Sequence, residues 1–215
     1  MKKTIVIIGA GPGLGNHIAK KFGRNNFRVV LIARNPKSLQ QYQHEFTDEG
    51  IESFTYVADT SSPQTLTTAF NAIKKEVGPI DVLIYNVGIT KPDDQPNLSS
   101  QTLTQNFQTE VASAFHSVQQ VVDQNFSQRN GTIIFTGGYA ALSPIKGYLS
   151  LALDKAALRN LALALHNELK SKNIFVGTVT VAGVITKNTH FSPELIASTF
   201  WRMYQGKNEW EIIYQ

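Results

Sequence analysis

The chain has 215 residues, 42% hydrophobic and 17% charged, with 20 Lys+Arg against 16 Asp+Glu; this balance fits one ordinary globular domain over residues 1–215 and excludes a disordered chain. Its longest uncharged apolar run, near Thr4–Ala10, is far shorter than the roughly 20 residues a membrane-spanning helix needs, so no membrane partner is expected. The absence of cysteine excludes disulfides, thiolate metal sites and cysteine nucleophiles and fits a cytoplasmic protein, while a net charge of +4 without basic runs or interleaved aromatics speaks against a nucleic-acid partner.

Lys2 and Lys3 precede an apolar run that Gly9, Gly11, Gly13 and Gly15 interrupt, which fits a first strand over Thr4–Ile8 better than a secretory signal. A helical pattern follows over Leu14–Arg24, then a strand over Arg28–Ala33, a helix over Ser38–Glu49 and a strand over Glu52–Val57. The alternation continues with helix Pro63–Val77, strand Ile80–Tyr85, one long helix Ser99–Phe126, strand Gly131–Phe135 and helix Tyr148–Lys170. Strand Ile174–Val181, helix Pro193–Gln205 and strand Glu209–Tyr214 complete it. Most of the strands are continuous apolar runs, as expected when helices cover both faces of a parallel sheet. The pattern predicts an α/β, doubly wound, seven-stranded parallel sheet. Ser62-Pro63 and Ser192-Pro193 read as N-cap residues before first-turn prolines, and Gly50, Gly78 and Gly131 as left-handed helix closures. Lys91–Asn97 reads as a loop, its Asp93 and Asp94 solvated, and Asp154 as an exposed helix residue.

After the first strand comes Gly9-Ala10-Gly11-Pro12-Gly13-Leu14-Gly15, which opens a helix. Missing side chains let a diphosphate approach the backbone, and the positive end of the helix favours its charge. At the end of the second strand, an acidic residue would accept from both adenosine ribose hydroxyls of NAD. Here stands Arg34, which suits the 2′-phosphate of NADP(H) over NAD(H), with Asn35 as a further donor. The five histidines, His17, His44, His116, His166 and His190, show no ligand spacing, so no metal is expected.

These residues resemble the short-chain dehydrogenase/reductase family over essentially the whole chain, which implies a Rossmann-type fold and oxidoreductase descent. Gly9, Gly13 and Gly15 match its glycine turn, with Leu14 between them; Ala58-Asp59 resembles its adenine-contacting Asp, and Tyr85-Asn86-Val87-Gly88 its Asn-Asn-Ala-Gly motif. Ser192 to Ala197 resembles its late helix. The resemblance makes Gly9, Gly13, Leu14, Gly15, Arg34, Asn35, Asp59, Asn86, Gly88, Lys155 and Val184 the cofactor-binding residues, Lys155 doubling as the retained member of the catalytic set.

The catalytic half departs from the family. Lys155 matches its lysine, but Leu151 stands four residues earlier in place of the proton-donating tyrosine, and Gly138 in place of the serine. Glu110 replaces the helix asparagine, and Lys187 the threonine of a Pro-Gly-x-x-x-Thr segment that here reads Ala182-Gly183-Val184-Ile185-Thr186-Lys187. Glu110 and Lys155 are expected to form an ion pair, and the lid before Pro193 to be short. The resemblance implies an NADP(H)-binding protein with most catalytic side chains replaced and an unknown small-molecule substrate. Two alternatives remain: an active NADPH-dependent carbonyl or alcohol oxidoreductase using Tyr139 or Tyr148, and a non-catalytic NADP(H) sensor or scaffold. It also implies a homodimer or homotetramer through helices Ser99–Phe126 and Tyr148–Lys170, with small Ala112, Ser113 and Ala114 at the contact.

Overall fold

The computed structural model describes residues 2–93 and 97–215; Asp94 and Pro96 of the expected loop lie outside the described residues. In chain order the elements are β1 (Lys3–Ile8), α1 (Leu14–Gly23), β2 (Phe27–Ala33), α2 (Pro36–Asp48), β3 (Ser53–Val57), α3 (Pro63–Glu76) and β4 (Val82–Tyr85). There follow α4 (Ser100–Phe107), α5 (Ser113–Val121), α6 (Gln124–Gln128), β5 (Thr132–Gly138), α7 (Leu149–Leu169), β6 (Phe175–Val181), α8 (Pro193–Gly206) and β7 (Glu211–Tyr214). The strands form one parallel sheet in the order β3-β2-β1-β4-β5-β6-β7, the doubly wound arrangement expected.

Alternation along β1 shows how the sheet feeds two cores. Ile5 and Ile7 point to the side where Leu14, Ile18 and Phe22 of α1 meet Ile196 and Phe200 of α8. Val6 and Ile8 point to the other side, against Leu66 and Phe70 of α3, Val118 of α5 and Leu158 of α7. Each fully buried side chain of this size contributes about 1.5–3 kcal/mol, so a one-residue slip of β1 would exchange its partners on both faces. Strand order reverses between β1 and β4, which opens a crevice at their carboxyl ends.

Several boundaries differ from expectation for local reasons. The helix expected over Ser99–Phe126 is interrupted by a π turn at Gln108–Ala112 and stops at Val121, after which Asp123 caps the short α6 by accepting from the Phe126 N–H at 2.8 Å. β5 runs three residues past Phe135 to Gly138, paired with β6 throughout. Gly50 and Gly78 adopt positive φ as expected, but before β5 it is Asn130 that does so. Gly131 is glycine for a packing reason: a Cβ there would lie 2.3 Å from the Phe126 ring. Ser62 and Ser192 stand at helix starts with extended backbone, yet neither hydroxyl caps its helix. Ser113 and Ala114 are fully buried within the chain, Ser113 donating to the Thr60 carbonyl, so they do not face outward for a second subunit.

Candidate active site

The glycine turn closes β1 under tight constraints. Gly9 has φ +86°, and a Cβ on it would stand 2.2 Å from the Asn86 carbonyl oxygen; a Cβ on Gly15 would stand 2.4 Å from the Gly9 carbonyl oxygen. Protein packing alone therefore demands these two glycines. Gly11 and Gly13 differ: nothing lies within 4 Å of a Cβ on either, so their bare backbone borders open space. The Ile32 carbonyl accepts from the Gly9 and Ala10 N–H groups at 3.1 Å, and the Asn16 side chain accepts from the Gly11 N–H at 2.9 Å. Asn86 braces the turn from β4, donating to the Gly9 carbonyl at 3.0 Å and accepting from the Thr136 hydroxyl at 2.9 Å. Gly13 is the N-cap of α1 without a side-chain cap, and Leu14 anchors that end of the helix in the core. A fixed turn, open backbone and an uncapped helix start fit a diphosphate.

At the end of β2, Arg34 is exposed and has no ion pair or hydrogen bond among the described residues, leaving its planar donors free. Asn35 is committed through its carbonyl oxygen, which caps α2 by accepting from the Lys37 and Ser38 N–H groups at 2.9 and 3.2 Å. The Asp59 carboxylate turns back onto Ser61, taking its N–H at 2.9 Å and its hydroxyl at 2.8 Å. Val184 lies in the loop between β6 and α8, 83% exposed, and that segment carries no helix.

Lys155, Glu110 and Asp154 make up the centre of the site. The Lys155 ammonium donates to the Val87 carbonyl at 2.9 Å and the Thr136 carbonyl at 3.3 Å, and lies 3.1 Å from Glu110 Oε2, both side chains buried. The expected ion pair is present. Glu110 also accepts the Ile89 N–H on Oε1 at 2.5 Å, while Oε2 receives no aligned hydrogen bond. The π turn holds Glu110 at this point, and Tyr85, buried beneath it, donates its hydroxyl to the Thr109 carbonyl at 2.5 Å. Burial, with the Glu110 charge adding to it, pushes the Tyr85 hydroxyl far above the usual tyrosine range.

Gly88 lies against the pair, a Cβ there meeting Lys155 Nζ at 3.2 Å. Leu151 is half-buried and Gly138 faces the Lys155 stem, so neither expected hydroxyl position carries one. Tyr139 is 43% exposed, and neither its hydroxyl nor that of Tyr148 has a hydrogen-bond partner among the described residues.

Asp154 corrects the expectation of an exposed side chain: it is 3% exposed, and its Oδ2 has no partner. Burial, then the nearby Glu110 charge, pushes its carboxyl up to about 7 against the pull of Lys155. α7 is apolar around most of its circumference, and an acid inside such a helix has few solvated positions to occupy; that was the available signal. Asp93 is likewise not merely solvated. Its carboxylate takes the Ser150 N–H at 3.2 Å and the Ser150 hydroxyl, capping the start of α7.

Residues 3–195 match the family model described as short chain dehydrogenase. A 3-oxoacyl-acyl-carrier-protein reductase of Buchnera aphidicola is 28% identical over 187 residues, covering 87% of this chain and 75% of that protein. Among solved structures, a short-chain dehydrogenase from Rhodopseudomonas palustris superposes with TM-score 0.86 at 26% identity, covering 99% of this chain and 98% of that one. An alcohol dehydrogenase from Thermococcus sibiricus, complexed with 5-hydroxy-NADP, gives TM-score 0.88 at 20% identity, covering 99% and 97%. With the glycine turn, the sheet order and this match in agreement, the chain belongs to the short-chain dehydrogenase family of oxidoreductases.

Proposed function

We propose that this family member binds NADP(H) but has replaced the proton-moving side chains of carbonyl reduction by a buried ion pair, so that its output is cofactor binding rather than ordinary turnover. One observation carries the reading: Lys155 is held by Glu110, Val87 and Thr136, while Leu151 and Gly138 stand where hydroxyl donors are needed. When bound, the nicotinamide would supply a hydride to a carbonyl carbon, leaving negative charge on its oxygen. Neither Leu151 nor Gly138 has a side-chain proton to offer that oxygen, and general acid catalysis is worth about 10²–10⁴-fold.

The turn at Gly9, Gly11, Gly13 and Gly15, with the amino end of α1, would hold the diphosphate, and Arg34 the 2′-phosphate. Asp59 with Asn35, Asn86 with Gly88, and Val184 border the rest of the cofactor's path in this reading. Solved structures of similar fold are complexed with 5-hydroxy-NADP, NADPH and NADP, which supports the choice of dinucleotide. The same reading takes residues 1–215 as a single cytoplasmic domain. Its partners are copies of itself through α4, α5 and α7, where Phe107, Phe115, Leu149 and Leu153 are 43–51% exposed.

Calorimetric titration with NADPH and NADH, followed by a scan of carbonyl substrates at saturating cofactor, tests it. NADPH binding without reduction is expected. No affinity for either dinucleotide, or robust carbonyl turnover, overturns it.

A further inference from the structure

We propose that His17 is a doubly protonated brace tying the diphosphate turn to α8, and that it makes dinucleotide binding proton-linked. The proposal rests on the NADP(H) reading above and deepens it. His17 Nδ1 lies 2.7 Å from the Gly13 carbonyl oxygen, and Nε2 lies 2.9 Å from Glu194 Oε1. Both partners are acceptors. A neutral imidazole has one N–H and one lone pair, so it would set a lone pair against oxygen at one end; only the imidazolium donates at both.

The proton belongs on the ring rather than on the carboxylate. Glu194 sits in the first turn of α8, where its own backbone amide, then the His17 charge, holds its carboxyl below the usual range. Other charged groups on the packed elements are engaged or distant in sequence. On α1, Lys20 is 2.5 Å from Glu49, and Lys21 lies a full turn beyond His17. From β1 and β2, Ile5, Ile7, Val29 and Leu31 pack into the core shared by α1 and α8, with Arg34 beyond the end of β2; on α8, Arg202 lies eight residues past Glu194.

A cation within the first turns of a helix is opposed by the helix dipole, so the Glu194 carboxylate and the Gly13 carbonyl must hold it there. A diphosphate bound at the same turn adds a second anion. It therefore favours the protonated ring, and by reciprocity the protonated ring favours the diphosphate. The brace also fixes the Gly13 carbonyl, and with it the direction of the amides that follow. His17 is thus a positioning residue, acting on the cofactor through Gly13 and through its charge.

The test is NADPH binding to the full chain, measured by calorimetry from pH 6 to 8.5 in two buffers of different ionisation enthalpy, for the parent and for His17→Gln and Glu194→Gln. The cofactor's 2′-phosphate itself titrates near about pH 6, but it does so equally in all three proteins. The parent is expected to take up a fraction of a proton on binding beyond that shared background and to lose several-fold more affinity across the range than His17→Gln. Glu194→Gln should shift the pH profile to lower pH, which a merely structural contact would not do. Parallel profiles for the parent and both variants overturn the brace while leaving NADP(H) binding intact; absence of binding in the parent at every pH overturns both.

Discussion

Glu110 Oε2 stands 3.1 Å from Lys155 Nζ, with both side chains almost sealed from solvent. The pair links the π turn between α4 and α5 to α7. Buried pairs add little net stability over apolar isosteres, but removing one member leaves a buried charge unpaired, at about 3–5 kcal/mol. Lys155→Met should therefore lower unfolding stability by about that much, and Glu110→Gln combined with Lys155→Met should recover most of the loss. Urea unfolding of the single and double variants checks it; simple additivity would mean that the two residues are not coupled.

Asp154 sets a pH dependence of known sign. Its carboxyl is raised from 3.8 to about 7 by burial and the Glu110 charge, so the folded state holds this proton more tightly than the unfolded chain. Its contribution is fully present below the unfolded value and is lost as pH rises through the folded one. Asp154→Asn, which cannot ionise, should exceed the parent by a margin that widens from about pH 5 upward and reaches on the order of 2–4 kcal/mol above pH 7. Glu49, Glu194 and Glu211 are lowered and act in the opposite direction, at more acidic pH, so the comparison belongs between about pH 5 and 8. Equal stability of the two proteins across that window would show that Asp154 is not ionising in a desolvated place.

The sheet was legible because most of its strands are near-continuous apolar runs, with glycines at the switch point. The Glu110–Lys155 pair was legible because two family positions that face one another carry opposite charges. The interruption at Gln108–Ala112 was not: apolar periodicity drifts through a π turn without a gap, and the Tyr85 hydroxyl that meets the Thr109 carbonyl comes from another element. Asn130 and Gly131 can each adopt the left-handed conformation, and the reason Gly131 is glycine, the Phe126 ring against it, is invisible locally. Asp154 and the His17–Glu194 contact were hidden for the same reason, since the direction of a side chain around a helix depends on what packs there.

In the proposed function, Arg34 would carry the dinucleotide preference. Its guanidinium has no partner among the described residues, so replacing it disturbs nothing but a ligand. Arg34→Ala should weaken NADPH binding by roughly 10–100-fold, the scale of a lost charge-assisted contact, with little change for NADH. Equal losses for the two dinucleotides would show that Arg34 does not read the 2′-phosphate.

Phe115 and Leu153 lie on α5 and α7 with 43% and 51% of their surface exposed, large apolar groups for an outer face. Light scattering of the parent should give at least twice the monomer mass, and Phe115→Glu with Leu153→Glu should reduce it to one chain. A monomeric parent at micromolar concentration rejects the assembly.

Chemistry can be restored in steps if the cofactor side is sound. A Cβ on Gly138 would meet Lys155 Cγ at 3.6 Å, an ordinary contact, so a serine fits without moving its neighbour. Leu151 is half-buried four residues before Lys155, on the same helix face, where a tyrosine hydroxyl would lie beside the ammonium. Gly138→Ser with Leu151→Tyr should raise NADPH-dependent reduction of a small ketone, and adding Glu110→Asn, which frees Lys155 from its counterion, should raise it further. The full gain is expected at about 10²–10⁴-fold, the range of general acid catalysis. Rates unchanged at saturating NADPH would place the obstacle in substrate access rather than in the missing proton donor.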